Sequence, residues 1–171
     1  MYETWQPQYQ EMQNQKLVDY WVKGGDGDFE VILEEKIPLD IPKIIIFDDQ
    51  SKRRDTVIKV SRLFSIEGRH TATGIIWISQ SIFDGYEMKQ IRNNSDYLVL
   101  FRCPSDCLSV STLSGQVMGN NSLFKIYLDA TKEPYSYLLI DQTQESQREK
   151  KFLSNIFDES GKTVFSYLLP K

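Results

Sequence analysis

Cysteine and histidine are almost missing from this sequence. Cys103 and Cys107 are too few for a disulfide framework, and with His70 as the one histidine they cannot complete a tetrahedral zinc site within the chain. Long apolar runs are also missing. Ile44-Ile45-Ile46-Phe47 and Gly74-Ile75-Ile76-Trp77-Ile78 fall far short of the ~20 residues a membrane-spanning helix needs. Residues 1–7 carry neither a basic n-region nor an apolar h-region, so no secretory signal is read there and an intracellular location is expected. An excess of positive charge is absent as well. The net charge of −4 argues against a domain whose whole surface grips nucleic acid, while leaving room for local basic loops at Lys52-Arg53-Arg54 and Arg148-Glu149-Lys150-Lys151. What is present, 171 residues with 26% charged and 40% hydrophobic side chains, suits one folded domain and excludes disorder as the main state.

The chain opens on a Gln- and Tyr-rich stretch in which Met12, Leu17, Tyr20 and Trp21 are spaced for an amphipathic helix, broken by Gly24-Gly25-Asp26-Gly27-Asp28. That break lacks the alternating oxygen ligands and the glutamate at position twelve of a calcium loop, and it reads as a plain turn. The run from Phe29 to Lys36 fits either helix or strand, and the choice is left open. From Pro38 the pattern becomes regular. Lys43-Ile44-Ile45-Ile46-Phe47 is apolar on both faces, the mark of a parallel strand covered by helices on each side, and it stops at Asp48-Asp49. A helical stripe through Val57, Val60, Ser61 and Phe64 ends near Gly68, and a second strand, residues 73–79, closes on Gln80. Further helices are expected over 86–93, from Pro104-Ser105-Asp106 and over 123–130. Further strands are expected over 97–101 and 137–140, the last ending in Asp141. Residues 142–171 read as a C-terminal tail whose last apolar stretch, 164–169, packs back on the core. Alternating strands and helices give α/β with a mainly parallel sheet flanked by helices.

In open α/β sheets ligands sit beyond the carboxyl ends of the strands, so Asp48 and Asp49 stand where a site is expected. One carboxylate can hold magnesium, directly or through water, and the second can position or deprotonate an attacking water, as a Walker B strand does in a nucleotide triphosphatase. Taken alone the pair equally suits a solvated cap of the next turn. Gln80, at the end of the neighbouring strand, adds an amide able to contact both a γ-phosphate and the attacking water. Gly68-Arg69-His70 offers Arg69 as a finger toward a neighbouring subunit's nucleotide, with Arg92 as the alternative and His70 as an orienting partner. A surface salt bridge is the plainer role for either arginine.

The ordered set of residues 44–49, 68–70, 75–80, 91–93, 97–102 and 137–141 resembles the C-terminal part of the poxvirus-type DNA-packaging ATPases. These are FtsK/HerA-class P-loop enzymes of large DNA viruses, virophages and Polinton-like elements. The resemblance runs from about Ile41 to Asp141 and lies in order and spacing. It implies an ATP-driven motor, a homo-oligomeric ring that pumps double-stranded DNA into a viral capsid, through a portal where one is present, at an assembly site inside the host cell. It implies ATP and Mg2+ as cofactors, both requiring a phosphate loop that is not in this chain, with Asp48 as the magnesium-associated acid, Asp49 as the catalytic base, Gln80 as the sensor and Arg69 as the finger. Lys52-Arg53-Arg54 is the candidate for contact with DNA phosphates.

The sequence departs from that family in one respect. No G-x-x-x-x-G-K-[ST] loop, whose amides cradle the phosphates and whose lysine reaches the β and γ oxygens, precedes Asp48. Gly161-Lys162-Thr163 is a decoy, with Ile156 five positions before Gly161 and no strand leading in. The expected fold is therefore P-loop NTPase-like with its phosphate-loop strand missing from the middle of the sheet, in a fragment or one product of a split gene that binds ATP weakly or not at all by itself. Two other readings stand beside it: a non-catalytic, degenerate partner subunit of an intact ATPase, and a magnesium-dependent nuclease using Asp48, Asp49 and a further acid such as Asp141.

Overall fold

A computed structural model describes residues 1–24, 41–67, 72–81, 83, 85–104, 107–156 and 164–168. These gather into two compact units, Met1–Asn94 and Ser95–Lys171. The architecture is mixed α/β, with a parallel pair of strands in the first unit and a four-stranded antiparallel sheet in the second.

In the first unit, strand β1 (Lys43–Asp48) leads through helix α2 (Arg54–Arg62) and a π-helical turn (Leu63–Glu67) to strand β2 (Thr73–Ile78), which is followed by helix α3 (Gly85–Asn94). One helix between two strands turns the chain back once, so β2 runs parallel to β1, with Lys43 opposite Thr73 and Asp48 opposite Ile78. Val57, Val60, Met88 and Ile91 from α2 and α3 close over Phe47, with Ile45, Ile75 and Trp77 packed against them. Phe47 and Val60 are fully buried. The expectation that β1 is buried on both faces is not met: both helices pack on the same face, and Ile44, Ile46, Ile76 and Ile78 on the other are 37–70% exposed.

The N-terminal helix is shorter than its sequence pattern suggests. Helix α1 (Pro7–Asn14) buries none of its residues. It stops in a Schellman turn, in which Lys16 takes a φ of +54° while the Lys16 and Leu17 amides donate to the Gln13 and Met12 carbonyls. Leu17, Tyr20 and Trp21 therefore lie beyond the helix rather than on its stripe.

In the second unit, strand β3 (Tyr97–Phe101) is followed by helices α4 (Cys107–Met118) and α5 (Ser122–Ala130), then strands β4 (Tyr137–Asp141), β5 (Phe152–Ser154) and β6 (Phe165–Ser166). The sheet order is β3-β4-β5-β6 and every pairing is antiparallel. This corrects the expectation of one mainly parallel sheet. Two helices in succession turn the chain twice, so β4 returns against β3. The turn between them is fixed by Gly119 at φ +67° and by the buried Ser114 hydroxyl, which donates to the Asn120 carbonyl (2.6 Å) and accepts from the Phe124 amide (3.2 Å). β4, with a strand on each side, has Leu138, Leu139 and Ile140 all buried, and Leu123, Tyr127 and Phe152 join that core. The Tyr127 hydroxyl donates to the Phe101 carbonyl and accepts from the Cys103 amide, both at 3.1 Å, tying α5 to the end of β3.

Candidate functional site

The parallel register brings the acidic and amide positions to one end of the first unit. Asp48 is the last residue of β1, opposite Ile78, and Gln80 follows two residues later on an exposed bend. That bend is a chain of short polar turns. The Ser79 hydroxyl donates to the Ser81 carbonyl at 2.8 Å, and the Ser81 hydroxyl accepts from the Phe83 amide at 3.2 Å. Asp49 has a φ of +54°, in the left-handed region that L-residues enter at a cost and aspartate enters more easily than most. β1 thus ends in a sharp break directly after Asp48. Such backbone outliers gather at functional sites.

Residues not singled out in the sequence complete this end of the strand. Gln50 is fully buried and its Nε2 donates to the Asp48 carbonyl at 3.1 Å, while its Oε1 has no hydrogen-bond donor among the described residues. Residues 1–24 form a strap over the same place. The Met1 amino group donates to the Ile46 carbonyl (2.6 Å), and the Asp48 amide donates to the Met1 carbonyl (2.9 Å), one parallel rung beside β1. Tyr2 pairs on its other side with Lys23, the Gly24 amide donating to the Tyr2 carbonyl at 2.7 Å. Arg53 grips Glu3 with two bonds, Nε to Oε2 at 2.6 Å and Nη2 to Oε1 at 3.0 Å. The Arg53 hydrogen bond holds the Glu3 carboxyl below its ordinary range. Gly24 fits this closeness, since a Cβ there would lie 2.7 Å from Glu3 Oε2, 2.8 Å from Gln50 Oε1 and 2.9 Å from Arg53 Nε, and these side-chain ends would have to shift.

Tyr9 joins the strap to the acids. Its ring packs among Tyr2, Trp5 and Trp21, with centroid separations of 5.9, 5.7 and 5.4 Å, and its hydroxyl donates to Asp48 Oδ2. Burial first, then the hydrogen bond to Asp48 and the charges of Asp48 and Asp49, push the Tyr9 phenol well above its ordinary range, so it stays a donor. The second oxygen of Asp48 and the Asp49 carboxylate accept no hydrogen bond among the described residues. Asp48 and Asp49 are partly exposed carboxylates of a kind that can bind a hard, partly hydrated cation such as Mg2+.

Of the remaining candidates, some fall outside the described residues and the others have partners of their own. Arg69 and His70 fall outside them, as do Gly161-Lys162-Thr163 and residues 29–36. Arg92 is 5% exposed, with its guanidinium 4.4 Å over the Phe83 ring, and burial lowers its pKa. Its charge is held inside the unit rather than presented outward. Asp141 belongs to the second unit, where its Oδ1 accepts from the Thr143 amide (2.9 Å) and hydroxyl (2.7 Å). Among the described residues no three His, Cys, Asp or Glu side chains come together as a metal-binding group, and no helix is long and apolar enough to cross a membrane. Arg53 of the basic run is engaged by Glu3.

No family model, curated protein or solved structure matches this chain.

Proposed function

We propose that this chain is the Walker B and sensor portion of a P-loop, ATP-hydrolysing motor of the DNA-packaging class, acting as a ring on double-stranded DNA. Its phosphate loop comes from sequence the chain does not contain. The observation that carries the reading is the β1/β2 register, which puts Asp48, Asp49 and Gln80 at the carboxyl end of one parallel pair. Asp48 would hold Mg2+, which supplies charge neutralisation on the phosphate oxygens. Asp49, held at a break in the backbone, orients the attacking water and takes its proton, and Gln80 steadies that water from the adjacent strand.

The sheet edges support the same reading. β2 ends the first sheet and β3 ends the second, and neither has a further strand partner among the described residues. Parallel sheets are built with more strands than two and are covered on both faces, so the first sheet is incomplete by the ordinary rules of its class. Arg69 remains the proposed finger, and the capsid or portal its proposed docking partner.

The adjoining coding sequence, read in all frames, tests this. A strand followed by G-x-x-x-x-G-K-[ST] is the expected finding. A promoter and stop codons there would instead favour the non-catalytic partner subunit, the reading that the lack of a phosphate loop in this sequence otherwise suggests. The nuclease reading needs a third carboxylate beside Asp48 and Asp49, and the described residues bring none to them.

A further inference from the structure

The two cysteines of the sequence, Cys103 and Cys107, both stand in the second unit where the chain passes from β3 to α4. Cys107 is the first residue of α4, and its Sγ donates to the Cys103 carbonyl at 3.5 Å. That oxygen is about 2.4 Å from the Cys103 Cα, so the Cys107 sulfur lies no more than about 6 Å from the same Cα. The backbone on the other side of the pair is held in place. The Cys103 amide donates to the Tyr127 hydroxyl, which donates in turn to the Phe101 carbonyl, each at 3.1 Å. Burial holds the Tyr127 phenol above its ordinary range, and Cys107, Arg102 and Cys103 are all close enough to act on it, so both cysteines gather about one hydroxyl. Each is half-buried, and neither is in a disulfide. Among the described residues no His, Asp or Glu joins them to make a group of three metal ligands, so the chemistry open to the pair is that of two adjacent thiols.

We propose that Cys103 and Cys107 form a reversible dithiol–disulfide site, which bridges the end of β3 to the start of α4 on reaction with a small-molecule disulfide of the glutathione class. One cysteine, having given its proton to solvent, attacks a sulfur of the glutathione disulfide; that S–S bond breaks and one glutathione leaves as its thiolate. The second cysteine, likewise deprotonated, attacks the sulfur of the first and expels the other glutathione. Two protein thiols are thereby oxidised to one disulfide, and one glutathione disulfide is reduced to two thiols, which take up the two protons released. Excess reduced glutathione drives the same steps backward. With no third cysteine in the sequence, the oxidised pair has no competing partner within the chain. The site is independent of the reading of Asp48 and Asp49.

The test is equilibration of the full chain with glutathione buffers of increasing oxidised share, followed by acid quenching, alkylation of the remaining thiols and mass spectrometry of the intact and digested chain. It is run in native buffer and again in urea that unfolds the chain. In native buffer the internally bridged monomer should replace the dithiol, both thiols being lost together. The effective concentration of one thiol toward the other should be at least about tenfold higher in the folded chain than in urea, because the fold already holds the pair in contact. Cys103→Ser and Cys107→Ser should each accumulate a glutathione adduct on the remaining cysteine instead. An effective concentration no higher in the folded chain than in urea would mean that the cysteines meet only through their closeness in sequence, and would overturn the proposal. A folded wild-type chain that collects two glutathiones without bridging, or that links to a second chain, overturns it as well.

Discussion

Asp49 offers the sharpest test of the site's geometry, because its backbone conformation and its carboxylate can be separated by substitution. At φ +54° an ordinary L-residue is disfavoured by roughly 1–2 kcal/mol, aspartate and asparagine by less, and glycine hardly at all. Asp49→Asn should leave stability nearly unchanged. Asp49→Gly relieves the local strain but adds freedom to the unfolded chain, so it should be neutral or slightly stabilising. Asp49→Ala should cost about 1 kcal/mol and Asp49→Val, β-branched, about 2 kcal/mol. Trp5, Trp21 and Trp77 are the three tryptophans of the sequence and all lie in Met1–Asn94, so urea unfolding followed by tryptophan fluorescence reports on this unit alone. With a urea dependence of about 1–3 kcal/mol per molar, the midpoint of Asp49→Ala should fall about 0.3–1 M below that of Asp49→Gly. Equal midpoints, or alanine above glycine, would refute the left-handed turn after Asp48. All four substitutions remove the carboxylate, so under the proposed function each should abolish hydrolysis in the chain joined to a phosphate loop, whatever it does to stability.

Two further outcomes follow from the same contacts. Tyr127→Phe removes the hydroxyl shared by the Phe101 carbonyl and the Cys103 amide, and should destabilise the second unit by about 1–3 kcal/mol. Faster amide exchange in β3 and α5, with β1 unchanged, is the signature. For Glu3 the sign follows from its depressed folded-state pKa: the stabilisation is present above the ordinary value of 4.5 and is lost as pH falls through the lower folded value. Acid titration should therefore change Trp5 and Trp21 fluorescence in a step that disappears in Glu3→Gln, and a step that persists there must come from another group.

The strands and helices from Lys43 to Asp141 were legible in the sequence because their apolar periodicities are long and their ends carry clear breaks. Asp48-Asp49 and Gln80 were found at strand ends for the same reason. Strand direction in the second unit was not legible. Both helices between β3 and β4 were expected, but whether the chain after them pairs parallel or antiparallel is set by how they pack, which local periodicity does not record. The uncovered face of β1 and β2 was hidden in a different way, since Ile44, Ile46, Ile76 and Ile78 look like core residues until both helices are seen on the opposite face. Tyr9, Glu3 and Gln50 escaped because their partners are remote or backbone atoms: Tyr9 lies 39 residues from Asp48 and Glu3 lies 50 from Arg53. Gln50 alone left a signal, a third polar residue directly after the acidic pair of an otherwise apolar strand. β5 and β6 are too short, at three and two residues, to carry a period.

The most direct measurement of the proposed activity is steady-state ATP hydrolysis by this chain joined to the strand and phosphate loop that the proposal expects beside it. Hydrolysis should appear in the joined protein with Mg2+, be absent from the chain alone, and fall to background in Asp49→Asn. Hydrolysis that survives Asp49→Asn, or a correctly folded joined protein that never hydrolyses ATP, would contradict the assignment of this chain to a motor ATPase.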